Sequence, residues 1–96
     1  MSELRVGIAG ATGALGKEIV ALLDTAKWRP DTIVPLAGTS TTIPFVDYGG
    51  ERVAVDDLDG EALDSLDVLI LAVPSDVAVG AAERAAAEGA LVVDCS

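Results

Sequence analysis

The chain has 96 residues, with 16 Asp and Glu against 6 Lys and Arg and a formal net charge of −10, which describes one compact soluble domain and leaves no length for a second. Such a surplus of negative charge repels phosphate backbones and anionic headgroups, arguing against nucleic acid and membrane partners. Histidine is absent and Cys95 stands alone, so neither an imidazole base, a disulfide nor a thiolate metal cage is on offer.

In chain order, Leu4 to Ala9 is short, β-branched and halted by glycines, which predicts a strand running into a tight turn. From Ala14 the apolar positions Leu15, Ile19, Leu22 and Leu23 recur at helical spacing, with Lys17 and Glu18 off that stripe. Arg29-Pro30-Asp31 breaks the helix, and Thr32 to Ala37 reads as a second strand. Pro35 lacks an N–H and must sit where the ladder does not need one. The hydroxyl run Thr39-Ser40-Thr41-Thr42 has no apolar period and predicts a loop. Phe45 to Tyr48 and Arg52 to Val55, joined around Gly49-Gly50, predict a hairpin whose second arm joins the main sheet. Asp67 to Val73 is apolar almost throughout and predicts a strand covered on both faces. A helix capped by Ser75 or Asp76 follows, running to about Glu88 and closed by Gly89, and then a last buried strand, Ala90 to Val93.

Alternating strands and helices with right-handed crossovers predict an α/β fold: a Rossmann-type, doubly wound, mostly parallel sheet of about five strands with helices on both faces. The expected order is Val53, Ile33, Val6, Leu69, Val92, each residue standing for its strand. That order reverses beside the first strand, where open α/β sheets bind ligands. No apolar run approaches the roughly 20 residues of a membrane-spanning helix, and the start Met-Ser-Glu-Leu-Arg lacks a signal-peptide profile. The cytoplasm is the expected location.

Gly10-Ala11-Thr12-Gly13-Ala14-Leu15-Gly16 lies between the first strand and the first helix. Residues without a Cβ let the turn tighten, let a pyrophosphate approach the backbone and let the helix lie close to the sheet. The helix N-terminus adds unpaired N–H groups and a partial positive charge. This context predicts dinucleotide binding by Gly10, Ala11, Thr12, Gly13, Ala14 and Leu15. The Gly-Lys-Ser/Thr ending of a mononucleotide loop is missing. An acid at the end of the second strand would select NAD; here Ala37-Gly38 is followed by hydroxyls, with no carboxylate until Asp47. The sequence therefore favours NADP, with NAD as the alternative cofactor and Thr39, Ser40 and Thr41 as candidate partners of the extra phosphate. Ser75, beyond Ala72-Val73-Pro74, falls on the opposite wall of the crevice, where it either caps a helix or meets the cofactor.

The stretch from Val6 to Gly16, the segment Val34-Pro35-Leu36-Ala37, the hairpin with Val55-Asp56-Asp57-Leu58, and Val92-Val93-Asp94-Cys95-Ser96 together resemble the N-terminal half of aspartate-semialdehyde dehydrogenase. The N-acetyl-glutamyl-phosphate reductases fit less well at Val34 to Ala37. The resemblance implies an NADP-binding domain over residues 1–96 of an enzyme that reductively dephosphorylates aspartyl phosphate in amino-acid biosynthesis. It implies pyrophosphate contacts at Thr12, Gly13, Ala14 and Leu15, and adenosine-phosphate contacts at Ser40 and Thr41. Such enzymes commonly carry an arginine where this chain has Ser40. Their nucleophilic cysteine, acid/base histidine and substrate arginine belong to a catalytic and dimerisation half with no counterpart here, so the chain is expected to be inactive alone and the full-length family to form homo-oligomers.

Other residues invite chemistry and do not support it. Cys95 lacks a histidine partner and reads as an inert thiol. Tyr48 is followed four residues later by Arg52, not lysine, and sits in a hairpin. The acids Asp56, Asp57, Asp59, Glu61, Asp64 and Asp67 spread over several elements, so they read as a solvated face and not a cation site. No catalytic or metal-binding residue is expected. The rival readings are a free-standing nucleotide-binding module and an interaction protein that pairs through the open edge of its last strand.

Overall fold

The computed structural model describes residues 4–26, 30, 32–38, 45–58, 65–73 and 75–95. Its elements in chain order are β1 (Arg5–Ala9), α1 (Ala14–Thr25), β2 (Thr32–Ala37), β3 (Phe45–Tyr48), β4 (Glu51–Ala54), β5 (Asp56–Asp57), β6 (Val68–Leu71), α2 (Ser75–Ala87) and β7 (Leu91–Asp94). Five strands form one parallel sheet in the order β5-β2-β1-β6-β7, and β3 and β4 form a separate antiparallel pair. The fold is therefore the expected Rossmann-type α/β arrangement, with one difference at its edge.

The strand beside β2 is not the Val53 arm of the hairpin but the two residues after Val55, with Asp56 and Asp57 in register with Leu36 and Ala37. Only Val55 separates the end of β4 from the start of β5, so the arm changes sheets within one residue. The reason is packing: Val46 and Val53 lie against the cluster under α1, and Tyr48 is buried there, which lays the hairpin along the sheet face instead of on its edge.

Two apolar clusters sandwich the sheet. On one face Leu36, Leu69 and Leu71 meet Ala78, Ala81 and Ala85 of α2; alanines at helical spacing let that helix approach closely. On the other, Ile8 and Ile33 meet Val20 of α1 and Tyr48. Each large aliphatic side chain buried in this way contributes about 1.5–3 kcal/mol. The last strand departs from expectation. Val92 packs into the α2 cluster, but Leu91 is 65 % and Val93 41 % exposed on the other side, because α1 covers the face over β1 and β2 and no described element covers β7 there.

Local features follow from residue chemistry. Pro35 is fully buried in β2. Successive residues of a strand aim their amides at opposite edges, and Leu36 O faces β1, accepting from Gly10 N at 2.8 Å. Position 35 thus faces the β5 side, where pairing covers only Leu36 and Ala37, so the missing N–H deprives no partner. Helix α2 ends as expected at Gly89, with φ +90°. Ala90 N donates to Ala85 O at 3.0 Å and Gly89 N to Ala86 O at 3.0 Å, the paired bonds of a Schellman closure. Arg5 secures the start of the sheet, its backbone N–H donating to the Asp67 carboxylate at 2.8 Å and its guanidinium to Ser65 O at 3.0 Å.

Candidate functional site

The sheet order changes direction at β1: the chain leaves it for β2 on one side and later returns to β6 on the other. The turns after β1 and β6 therefore meet at the carboxyl end of the sheet. Ala72 N donates to Ala9 O at 2.9 Å, and a Cβ on Gly10 would lie 2.5 Å from Ala72 O. Gly10 has φ +84°. Both the left-handed backbone and the closeness of the neighbouring turn require glycine there.

The glycine turn is held by its own backbone and by β2. Gly10 N and Ala11 N both donate to Leu36 O, at 2.8 and 3.2 Å, and Gly13 N donates back to Gly10 O at 3.0 Å. Ala11 is fully buried beneath the turn. Helix α1 then starts at Ala14 with Gly13 as its N-cap residue, and the first backbone bond runs from Lys17 N to Gly13 O at 2.9 Å. A Cβ on Gly16 would overlap Gly10 O, so the first turn of the helix rests directly on the turn that precedes it.

What this arrangement offers is a row of donors. Gly13 provides no side-chain cap, and the first turn of α1 carries no acidic residue. The N–H groups of Ala14, Leu15 and Gly16 have no earlier helical carbonyl to bond, while Gly13, Ala14 and Leu15 are exposed. Backbone amides with the helix dipole behind them form an anion site. Thr12, half-buried, completes the turn.

The remaining sequence-derived candidates divide into those the structure places and those beyond it. Ser75 is the first residue of α2, so it lies within the first helical turn and not ahead of it; its side chain lies outside the described residues, as do Thr39, Ser40 and Thr41. Cys95 is an exposed free thiol whose backbone N–H donates to Leu71 O at 2.9 Å. Tyr48 is buried with its hydroxyl donating to Pro30 O at 2.6 Å, a structural tie. Among the described residues no group of three acidic or thiol side chains gathers into a metal site, and no helix is long and apolar enough to cross a membrane.

Two features were not visible in the sequence. The nearest acids to the end of β2 along the chain begin at Asp47, yet β5 brings exposed Asp56 and Asp57 level with Leu36 and Ala37. Beside the glycine turn, between α1 and β3, lies an open cavity of about 400 Å³ whose lining includes Ala11, Lys17, Val20, Asp24, Phe45 and Asp47. Lys17 is exposed, as its place off the apolar stripe predicts, and the packing of the hairpin beside α1 also makes it part of the cavity wall.

Comparison with known proteins agrees with this geometry. The model of the family described as semialdehyde dehydrogenase, NAD binding domain, matches residues 5–96. An aspartate-semialdehyde dehydrogenase of Synechocystis sp. is 30 % identical over 95 residues, which are 99 % of this chain and 28 % of that protein. The solved structure of a probable aspartate-semialdehyde dehydrogenase from Pseudomonas aeruginosa superposes with TM-score 0.89 at 29 % identity, covering 97 % of this chain and 28 % of that one. Aspartate semialdehyde dehydrogenase II of Vibrio cholerae has the same fold, with TM-score 0.90 at 22 % identity over 99 % of this chain and 32 % of its own. The chain thus spans about a third or less of the length of these relatives. With a family match over nearly its whole length and the glycine turn at the switch point of a parallel sheet, the chain belongs to the semialdehyde dehydrogenase NAD-binding domain family.

Proposed function

We propose that the chain is the NADP-binding unit of an aspartate-semialdehyde dehydrogenase. The observation that carries this reading is the uncapped, acid-free first turn of α1 set on a glycine turn beside the Ala72 carbonyl. Exposed amides in that position suit a pyrophosphate, and buried Ala11, with Gly10 N and Ala11 N bonded to Leu36 O, ties the turn to the sheet.

In this reading the backbone from Gly10 through Leu15, including Ala11, Thr12, Gly13 and Ala14, holds the pyrophosphate. Thr39, Ser40 and Thr41 meet the adenosine phosphate, and Ser75 meets the ribose or carboxamide of the nicotinamide half. The nicotinamide supplies a hydride when bound, and this chain's residues orient it. Reductive dephosphorylation of an aspartyl phosphate also needs a thiolate and a proton carrier within near-attack distance. Cys95 has no histidine to act as its base, since the sequence contains none. In this reading the 96-residue chain binds cofactor without turnover, in the cytoplasm.

Calorimetric titration tests this directly. NADPH should bind, and Gly13→Ala should weaken it; absence of binding of both NADPH and NADH at millimolar concentration would sink the proposal and leave an interaction protein.

A further inference from the structure

The adenosine end of the proposed site poses an electrostatic problem. Asp56 and Asp57 stand exposed beside the end of β2, and the segment 38–44 contains no Lys or Arg. A ribose phosphate arriving there meets carboxylates with no cation on its own loop.

The chain's six cations are Arg5, Lys17, Lys27, Arg29, Arg52 and Arg84. Arg5 is tied to Ser65 at the opposite, amino end of the sheet. Lys27 and Arg29 lie between α1 and β2 in sequence, outside the described residues. Arg52 stands opposite Asp47 in the hairpin, and Arg84 donates to Leu58 O at 3.4 Å from α2. Lys17 remains. It sits one turn into α1, is exposed, and lines the cavity that shares Ala11 with the glycine turn.

The cavity has a polarity along its length. β3 begins at Phe45, just after the segment that leaves β2, and ends near Gly49, whose N–H donates to the Asp24 carboxylate at 3.1 Å. Asp24 lies seven residues after Lys17, about 10 Å further along the helix axis. Helical side chains lean toward the helix N-terminus, which carries the Lys17 ammonium toward the glycine turn and away from Asp24. The positive end of the cavity thus adjoins the turn. Its acids, Asp24 and Asp47, belong to the lower part, where Asp24 is already engaged by the hairpin.

We propose that Lys17 is a further phosphate-reading residue of the cofactor site: its ammonium pairs with the 2′-phosphate of NADP at the upper end of the cavity between α1 and β3. This rests on the dinucleotide-binding reading above. It makes cofactor preference a property of the first helix as well as of the loop after β2.

Titration of the 96-residue chain with NADP, NAD, adenosine 2′,5′-bisphosphate and 5′-ADP separates the two readings. Lys17→Ala should weaken NADP and the 2′,5′-bisphosphate by roughly tenfold, as loss of one charge-assisted contact does. NAD and 5′-ADP should stay within twofold, and Lys17→Arg should restore the preference. Unchanged NADP affinity, or equal losses for NADP and NAD, would overturn the role of Lys17 while leaving dinucleotide binding intact. If the wild-type chain takes up none of the four, the underlying reading fails and this one with it.

Discussion

Gly16 and Gly10 touch across the start of α1: a Cβ at position 16 would occupy the space of the Gly10 carbonyl oxygen, with Ala11 Cα a further 2.8 Å obstacle. The obstructing atoms are backbone and cannot swing aside. Gly16→Ala should therefore destabilise the fold by about 1–3 kcal/mol, the usual range for overpacking, measured as a lowered urea midpoint. An unchanged midpoint would mean that the helix slides off the turn at little cost.

Gly13 behaves differently, since an added Cβ would lie 3.5 Å from Gly10 O, an ordinary contact, and the residue's φ of −80° suits any side chain. Gly13→Ala should cost less than about 1 kcal/mol, the scale of an N-cap change, yet place a methyl group at the mouth of the amide row. Dinucleotide affinity should drop while stability holds. A variant that binds as well as wild type would move the pyrophosphate away from this turn.

The hairpin is fastened at its lower end by the Tyr48 hydroxyl on Pro30 O. Tyr48→Phe keeps the buried ring and leaves that carbonyl short of a donor, a loss of about 1–3 kcal/mol. Equilibrium denaturation gives the magnitude. Faster amide exchange in β3 and β4 would locate the effect in the hairpin, whereas uniform loosening of all the described strands would contradict a local tie.

In the proposed NADP-binding reading, Asp56, level with Leu36 at the end of β2, acts on cofactor choice from outside the glycine turn. A unit charge about 8 Å away in water is worth about 0.5 kcal/mol, so Asp56→Asn should raise the preference for NADP over NAD about twofold, with the gain shrinking in added salt. Paired titrations at low and high ionic strength check this, and a fall in the NADP preference would place the phosphate elsewhere.

The two faces of the sheet beyond β1 predict unequal mutational costs. Leu69 is fully buried against α2 whereas Leu91 is mostly exposed. Leu69→Ala should cost about 2–5 kcal/mol, and Leu91→Ser no more than about 0.5 kcal/mol. Comparable losses at both positions would show that the exposed side of β7 is covered in solution.

Much of this was legible in the residues. The period of Leu15, Ile19, Leu22 and Leu23 marks α1 as a helix, although Leu15 and Leu22 stay exposed and the residues it buries are Gly16 and Val20; the Gly49-Gly50 pair marks the hairpin and Gly89 the end of α2, because each depends on local geometry that the residue type itself restricts. The glycine turn is readable for the same reason. Its spacing states where side chains are forbidden, and the structure puts backbone atoms in those places at Gly10 and Gly16. β7 was not legible in this way: Ala90 to Val93 reads as buried on both sides, but burial depends on what packs above a strand, and Leu91 and Val93 have no described element over them.

Composition and local pattern alone determined the alternating order of elements, the glycine turn between β1 and α1 and the lack of an imidazole. These are properties of short stretches, governed by backbone sterics and by which side chains exist. Tertiary structure decided which strand lies beside β2, that Asp56 and Asp57 arrive at its end, and that exposed Lys17 borders a cavity shared with the hairpin. Those relationships join residues far apart along the chain, and their positions are fixed by how two apolar clusters close around the sheet, a condition no local window contains.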